Sequence, residues 1–458
     1  MPIQVINPYD QSTVCELEFH REAEVNARLT AAADALGRWR EVSLDERIAI
    51  VTRGMNYFRN HADVIARDIT RQMGKPLAQA QREVETMIVR AERSTVDARE
   101  ALRADVLPEA DGLVRRIEHE PLGVVLDIAA WNYPLLIAVN VVVPALLAGN
   151  VVLIKHSAKT PLCGQAFERE FTEAGVANLV TNLLLTHEQT ARLIADERVD
   201  HVSFTGSVPG GRSIYKTVAA KRLIDVGLEL GGKDPAYVAQ DADIDFAAPN
   251  VVDGACYNAG QSCCAIERVY VHRSKYEAFL ERARVELEAY TPGNPMDDET
   301  TMGPLASRSA LDELQAQVED AVHRGARLLL GGGRMGGVKG NFFEPTLLAD
   351  VPHDAAVMRE ESFGPIVPVT AVDDDEQAIE RMNDTRFGLT ASVWTADTAR
   401  AERFARALHA GTIYQNRCDY LDPALPWSGY GDSGKGSTLS RYGFYHLTRR
   451  KSIHFRRL

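Results

Sequence analysis

The sequence predicts an α/β protein of two sheet-based domains with a small additional β element, and three observations carry that expectation. At 458 residues the chain exceeds the size at which one hydrophobic core stops growing. Short apolar runs alternate with helical periodicity twice over, once before and once after Gly231-Gly232. A strand-like segment near the C-terminus, Lys451 to Phe455, has nothing close in sequence to pair with.

Taken in order, residues 21–103 read mostly as amphipathic helices. Val25, Leu29, Ala32, Ala33 and Leu36 recur at helical spacing, as do Ile48, Val51, Met55 and Phe58. Ser43 ahead of Leu44-Asp45-Glu46 is an N-cap with acids in the first turn. Val114 to Glu120 alternates like an exposed strand. The run Val124 to Ile128, a buried helix from Pro134 to Leu147 and the run Val151 to Ile154 then form a βαβ unit of a parallel sheet. His201 to Phe204 is a further strand, ending in Thr205-Gly206-Ser207 and a helix from about Pro209. After Gly231-Gly232 the pattern restarts with strand Pro235 to Val238, helix Ile244 to Ala259 and strand Arg268 to Val271. The resulting division is residues 1–99 with 122–230, then 231–445, and a projecting β element of 100–121 with 446–458. The terminal strand joins either a partner subunit or the 100–121 region.

Hydrophobic residues are 45% and charged residues 25%, which sets aside fibrous and disordered classes. Lys plus Arg is 51 against 64 for Asp plus Glu, and the net charge of −13 disfavours nucleic acid and anionic membranes as partners. The apolar stretch Leu135 to Ala148 is interrupted by Asn140 and Pro144 and is too short to span a bilayer. Met1 to Val5 has no basic stretch followed by an apolar core. The cysteines at 15, 163, 256, 263, 264 and 418 form no CxxC pair and no regular framework, so a reduced cytoplasmic protein is expected.

Two glycine-rich segments imitate phosphate-binding motifs. Gly331 to Gly336 matches GxGxxG, but Gly340 and Pro345 follow where a helix is required. Gly429 to Lys435 is close to a P-loop, but Gly436 stands where the Mg²⁺-binding hydroxyl belongs and no apolar strand precedes it. The histidines show no HExxH and no metal spacing with cysteines, so no metal is expected.

The informative segment is Asn258-Ala259-Gly260-Gln261-Ser262-Cys263-Cys264. A cysteine just after a glycine turn can be lifted toward a cleft, although a lone cysteine is usually a small buried apolar residue. Together with Leu228-Glu229-Leu230-Gly231-Gly232-Lys233, Trp131-Asn132-Tyr133-Pro134, Phe204-Thr205-Gly206-Ser207 and Glu360-Glu361-Ser362-Phe363-Gly364-Pro365, this segment resembles the aldehyde dehydrogenase superfamily. The motifs occur in the family's order, from Met73-Gly74-Lys75-Pro76 to Gly429 through Gly434. The glutamate-to-cysteine and asparagine-to-lysine intervals also suit it.

The resemblance implies the aldehyde dehydrogenase fold: a Rossmann-like cofactor domain (1–99 and 122–230), an α/β catalytic domain (231–445) and an oligomerisation element (100–121 and 446–458). It implies that Cys263 attacks an aldehyde carbonyl and that Asn132 and the Cys263 backbone N–H donate to the oxyanion. Loss of one such donor costs roughly 2.7–4 kcal/mol. Hydride leaves to the nicotinamide, and Glu229 directs water at the resulting thioester. Read alone, Asn132 is better taken as a turn or cap residue, and Glu229 is equally a buried, paired carboxylate. Cys264 is read as structural or as a redox partner.

For the cofactor, NAD or NADP, the resemblance implies Lys155 on the adenine-side ribose, Gly206 and Ser207 on the pyrophosphate, and Glu361 on the nicotinamide-side ribose with Phe363 against the ring. Trp131, Ser157, Ala158 and Lys159 complete the set. The plainer readings are a solvated strand-end lysine for Lys155 and a helix cap for Ser207. Many NAD-preferring relatives carry a glutamate where this chain has Ala158, so a 2′-phosphate is not excluded, and Ser157 or Lys159 would favour it.

Substrate positions are Tyr133, Ile137, Ser262, Cys264 and the loop Arg417 to Leu425. Arg417 is a candidate anchor for an acidic aldehyde such as succinate semialdehyde, against a structural arginine as the alternative. Details such as Ala130-Trp131-Asn132-Tyr133-Pro134 look most like the succinate-semialdehyde branch. The rival functions are a CoA-acylating aldehyde dehydrogenase, which generally lacks the glutamate, a catalytically silent scaffold, and a cofactor-free cysteine esterase. A homodimer or homotetramer is implied by the same resemblance.

Overall fold

The computed structural model describes residues 2–110 and 112–457. Its centre is a six-stranded sheet in the order Gly434–Lys435, Val226–Glu229, His201–Thr205, Val124–Ala129, Val151–His156, Val180–Asn182. All of its strands run parallel except the first. Val124–Ala129 and Val151–His156 are buried at every residue, which is why they read as unbroken apolar runs rather than as alternation. Helix Pro134–Leu147 connects them; it starts with proline in its first turn and is apolar except for Asn140, because all of it but Ile137 and Asn140 is buried.

Helices Glu22–Trp39, Leu44–Asn60, Ala62–Met73 and Leu77–Ala101 build the core shared with this sheet. Ser43 caps the second of them as expected: its hydroxyl accepts from the Glu46 N–H, and the Glu46 carboxylate accepts from the Ser43 N–H.

A seven-stranded sheet follows Gly232, in the order Arg327–Leu330, Thr346–Ala349, Ile366–Val372, Ile266–His272, Asp234–Val238, Thr390–Trp394, Thr412–Gln415. The chain then returns to the first sheet. Gly434–Lys435 pairs with Leu228 and Glu229, and Phe444 and Leu447 enter the first core. Both glycine-rich imitations lie outside any nucleotide-binding context: Gly331 to Gly336 leads to strand Thr346–Ala349 with no helix between, and Gly434–Lys435 is itself a short edge strand.

The terminal strand Thr448–Arg456 pairs within the chain, antiparallel to Leu113–Pro121, in a register from Thr448 opposite Pro121 to Arg456 opposite Leu113. One expectation is corrected. The helix from Ile244 stops at Cys256, not Ala259, and Asn258, Ala259 and Gly260 take left-handed backbone angles of +52°, +55° and +72°. The alanines at 255 and 259 prolong the helical spacing in sequence, but the chain leaves the helix to turn into the site.

Candidate active site

The parallel strands deliver their C-terminal ends to one place, where open α/β sheets bind ligands. Asn132 follows strand Val124–Ala129, and Glu229 ends strand Val226–Glu229 opposite Thr205. The left-handed turn after helix Ile244–Cys256 brings in the third group. Gly260 is forced there: a Cβ would overlap the Gly364 carbonyl and come within 2.9 Å of the Ala255 carbonyl oxygen. Gly260→Ala is expected to destabilise the protein by about 2 kcal/mol or more and to displace the cysteine loop. Thermal melting alongside the rate of Cys263 alkylation checks both.

A cavity of about 580 Å³ opens at this point. Asn132, Glu229 and Cys263 line it, together with the substrate candidates Tyr133, Ile137, Ser262, Cys264 and the part of the loop from Arg417 to Leu421. The Asn132 side-chain amide donates to the Gln261 carbonyl at 3.2 Å, and Asn258 donates to the carbonyls of Asn132 (3.1 Å) and Gln261 (3.2 Å). Asn258 thereby ties the asparagine loop to the cysteine loop.

Glu229 is half-buried, and desolvation of its enclosed carboxyl pushes the pKa up to about 8. The Thr438 hydroxyl reaches one oxygen at 3.4 Å, while Oε2 has no partner among the described residues. It is an unpaired carboxyl, so the paired reading is set aside.

Cys264 is buried beside the nucleophile candidate. Its thiol donates to Asp419 Oδ1 at 3.0 Å, and its pKa is raised by hydrogen bonding with Cys263 and by burial. Asp419 also accepts from the Ser262 hydroxyl at 2.9 Å, and burial lifts its pKa to about 6. Arg417 is exposed, with its guanidinium over the Tyr420 ring at 3.5 Å.

The cofactor candidates lie outside the cavity lining, most of them near the C-terminal ends of the strands of the first sheet, with Glu361 and Phe363 just ahead of strand Ile366–Val372. Lys155 is not a solvated strand-end lysine: the strand continues to His156, and Lys155 is 8% exposed, with burial lowering its pKa. Ser157, Ala158 and Lys159 follow it, and Lys159 Nζ sits 4.2 Å over the Trp131 ring. Trp131 meets Phe363 edge-on at 5.7 Å.

Ser207 caps helix Val208–Lys221 by accepting from the Gly210 N–H. The Gly206 N–H is already given to the Glu229 carbonyl at 3.0 Å. Glu361 accepts from the Gly232 N–H at 3.2 Å, and burial, then the neighbouring Glu267 charge, raises its pKa to about 8.

Two buried ion pairs that sequence reasoning missed hold this arrangement. Lys233 pairs with Glu267 at 2.7 Å and donates to the Ser362 hydroxyl at 2.9 Å. Glu267 accepts from the Ser362 and Phe363 N–H groups, which fixes Phe363 at φ +55°. Lys75 pairs with Glu83 and lies 3.9 Å over the Tyr133 ring, while Glu83 accepts from the Leu135 N–H at 2.9 Å and so caps helix Pro134–Leu147. The available signal was a lone charge inside each apolar or motif segment, without a visible partner.

The sequence profile of the Aldehyde dehydrogenase family matches residues 1–453. The chain belongs to the aldehyde dehydrogenase family. It is 35% identical over 454 residues to a probable succinate-semialdehyde dehydrogenase [NADP(+)] of Synechocystis sp., covering 99% of each protein. It is 36% identical to the succinate-semialdehyde dehydrogenase [NADP(+)] of Deinococcus radiodurans, covering 99% of this chain and 94% of that one. Among solved structures, Escherichia coli lactaldehyde dehydrogenase superposes with a TM-score of 0.96 at 32% identity, over 100% of this chain and 96% of that one. The fold of this aldehyde dehydrogenase is therefore that of the family, and none of its helices, among the described residues, is long and apolar enough to cross a membrane.

Proposed function

We propose that this aldehyde dehydrogenase oxidises succinate semialdehyde, or an aldehyde closely related to it, to the carboxylic acid through a thioester on Cys263. The observation that carries the reading is the single cavity into which Cys263, Glu229 and Asn132 all open. The succinate-semialdehyde activity named for both curated relatives supports the substrate.

Cys263 Sγ adds to the carbonyl carbon, and the carbonyl oxygen becomes an oxyanion. The Asn132 amide carries two N–H bonds; Gln261 holds one, and the other is available to that oxygen alongside the Cys263 N–H. Glu229 then takes a proton from the water that attacks the thioester. Its unpartnered Oε2 is the atom suited to receive it. Water delivery by Glu229 favours hydrolysis over acyl transfer to CoA.

The residues present fit a dinucleotide. Lys155 is a buried ammonium with no ion-pair partner among the described residues, as a donor to ribose hydroxyls requires. Because Gly206 has spent its N–H, the pyrophosphate falls to the Ser207 and Val208 amides at the helix start. Glu361 keeps one oxygen for the second ribose, and Trp131 and Phe363 wall the ring position. When bound, the nicotinamide accepts the hydride from the carbon attached to sulfur.

Ala158 is exposed and carries no charge to repel a 2′-phosphate, while Ser157 and Lys159 flank it, so NADP is the favoured form with NAD as the second. Ala158→Glu is expected to lower kcat/KM with NADP by about tenfold or more relative to NAD, because a like charge would meet the phosphate. Steady-state assays with both cofactors check it.

Self-association into a homodimer or homotetramer is part of the proposal, supported by the nine-residue edge strand Thr448–Arg456, whose outer side has no strand partner among the described residues. A cytoplasmic location is supported by six free cysteines. The proposed activity is tested by following cofactor reduction with succinate semialdehyde and a panel of other aldehydes, with NAD and with NADP. Reduction that prefers succinate semialdehyde supports the reading, and none with any pair overturns it.

A further inference from the structure

We infer that Arg90, rather than the exposed Arg417, recognises the substrate, by meeting a carboxylate at the end of the aldehyde remote from the reacting carbonyl. The inference rests on reading the cavity as the aldehyde site and narrows it to short aldehydes that carry a terminal carboxylate.

Arg90 belongs to helix Leu77–Ala101 and lines the same cavity as Cys263 and Glu229. It is 6% exposed, and Cys263 and Cys264 line the same cavity. A guanidinium keeps its charge in proteins, so burying it is costly unless it is paired. Here the compensation is incomplete. Nη1 donates to the Leu136 carbonyl and to Asn140 Oδ1, each at 3.3 Å and each a neutral acceptor. Nε has no partner among the described residues.

The carboxylates that share the cavity are engaged elsewhere. Glu83 pairs with Lys75, Asp419 accepts from Ser262 and Cys264, Asp253 is exposed to solvent, and Glu229 is mostly uncharged below about pH 8. What remains is a fixed cation, pinned by helix Pro134–Leu147, beside the nucleophile and short of an anion. A substrate carboxylate supplies that anion with charge-assisted hydrogen bonds. Arg417 lacks this need, since it is solvated and stacked on Tyr420.

The test is the ratio of kcat/KM for succinate semialdehyde to that for butanal, which has the same carbon count and no carboxylate. It is measured with NADP in the full-length enzyme and in Arg90→Gln, Arg90→Lys and Arg417→Gln. The expected result is a wild-type ratio well above one that falls by about 100-fold in Arg90→Gln, chiefly through KM, recovers in part in Arg90→Lys, and follows Arg90 rather than Arg417.

A purely structural role would lower both substrates together and leave the ratio within threefold of wild type, which overturns the assignment. A ratio that collapses in Arg417→Gln instead does the same. Should Arg90→Gln fail to fold, Arg90→Met removes the buried charge with an apolar side chain and carries the same comparison. A wild-type ratio near one is a different failure: it removes the acidic substrate itself before any variant is measured.

Discussion

Cys263→Ala is expected to lower kcat/KM for aldehyde oxidation by about 10⁴-fold or more while the protein stays folded. The loss follows from covalent catalysis: without the sulfur there is no thiohemiacetal from which hydride can leave, and no other group of the cavity replaces it. Cys264 is the obvious substitute, but it is buried, its thiol is given to Asp419, and its pKa is held high. Cys263 packs only partly against the small cluster of Cys264, Leu389, Trp427 and Leu439, so removing one sulfur there costs little stability. Steady-state assays with a thermal melt of the same sample read both quantities. Activity within about 100-fold of wild type would contradict the assignment.

Glu229→Gln is expected to separate the two halves of the reaction. The first turnover proceeds, because thioester formation does not need the carboxylate as the base for water. Subsequent turnovers slow by about 10²–10⁴-fold, the usual worth of a general base. Stopped-flow absorbance should show a burst of reduced cofactor matching the enzyme concentration, followed by a nearly flat line.

The pH dependence gives an independent check. Burial holds the Glu229 pKa at about 8, and a general base works only when ionised. Where thioester hydrolysis limits the rate, kcat of the unmodified enzyme climbs about tenfold per pH unit below that value and levels off above it. In Glu229→Gln this limb disappears. A wild-type profile that is flat from pH 6 to pH 9 while hydrolysis limits the rate would remove Glu229 from the role.

Parts of this architecture are legible in the sequence for physical reasons. Val124–Ala129 and Val151–His156 show as apolar runs because both faces of a parallel sheet are covered. The strand-like segment at 451–455, which has no partner close in sequence, pairs with 113–121, one of the two places the sequence left open for it. Asn132, Tyr133, Glu229, Ser262 and Cys263 stand in short motifs at strand or turn ends, and those ends converge on one cavity.

The rest depends on contacts distant in the chain. The left-handed run Asn258 to Gly260 hides under continued helical spacing. Arg90 sits in a helix where an arginine reads as solvated surface, and only the packing of helix Pro134–Leu147 over it shows the burial. Lys233 with Glu267 and Lys75 with Glu83 pair side chains whose relation appears only when the loops close. The return of Gly434–Lys435 to the first sheet is likewise a two-residue pairing with no periodic signal.

The central claim is a thioester on Cys263 that Glu229 clears. Its most direct test is intact-protein and peptide mass spectrometry of Glu229→Gln, mixed with NADP and succinate semialdehyde and quenched in acid within the burst. The account predicts an acyl adduct on the peptide holding Cys263, in near-stoichiometric amount, absent from Cys263→Ala and from a sample without NADP. A burst of reduced cofactor with no adduct at Cys263, or an adduct on Cys264 instead, would contradict it.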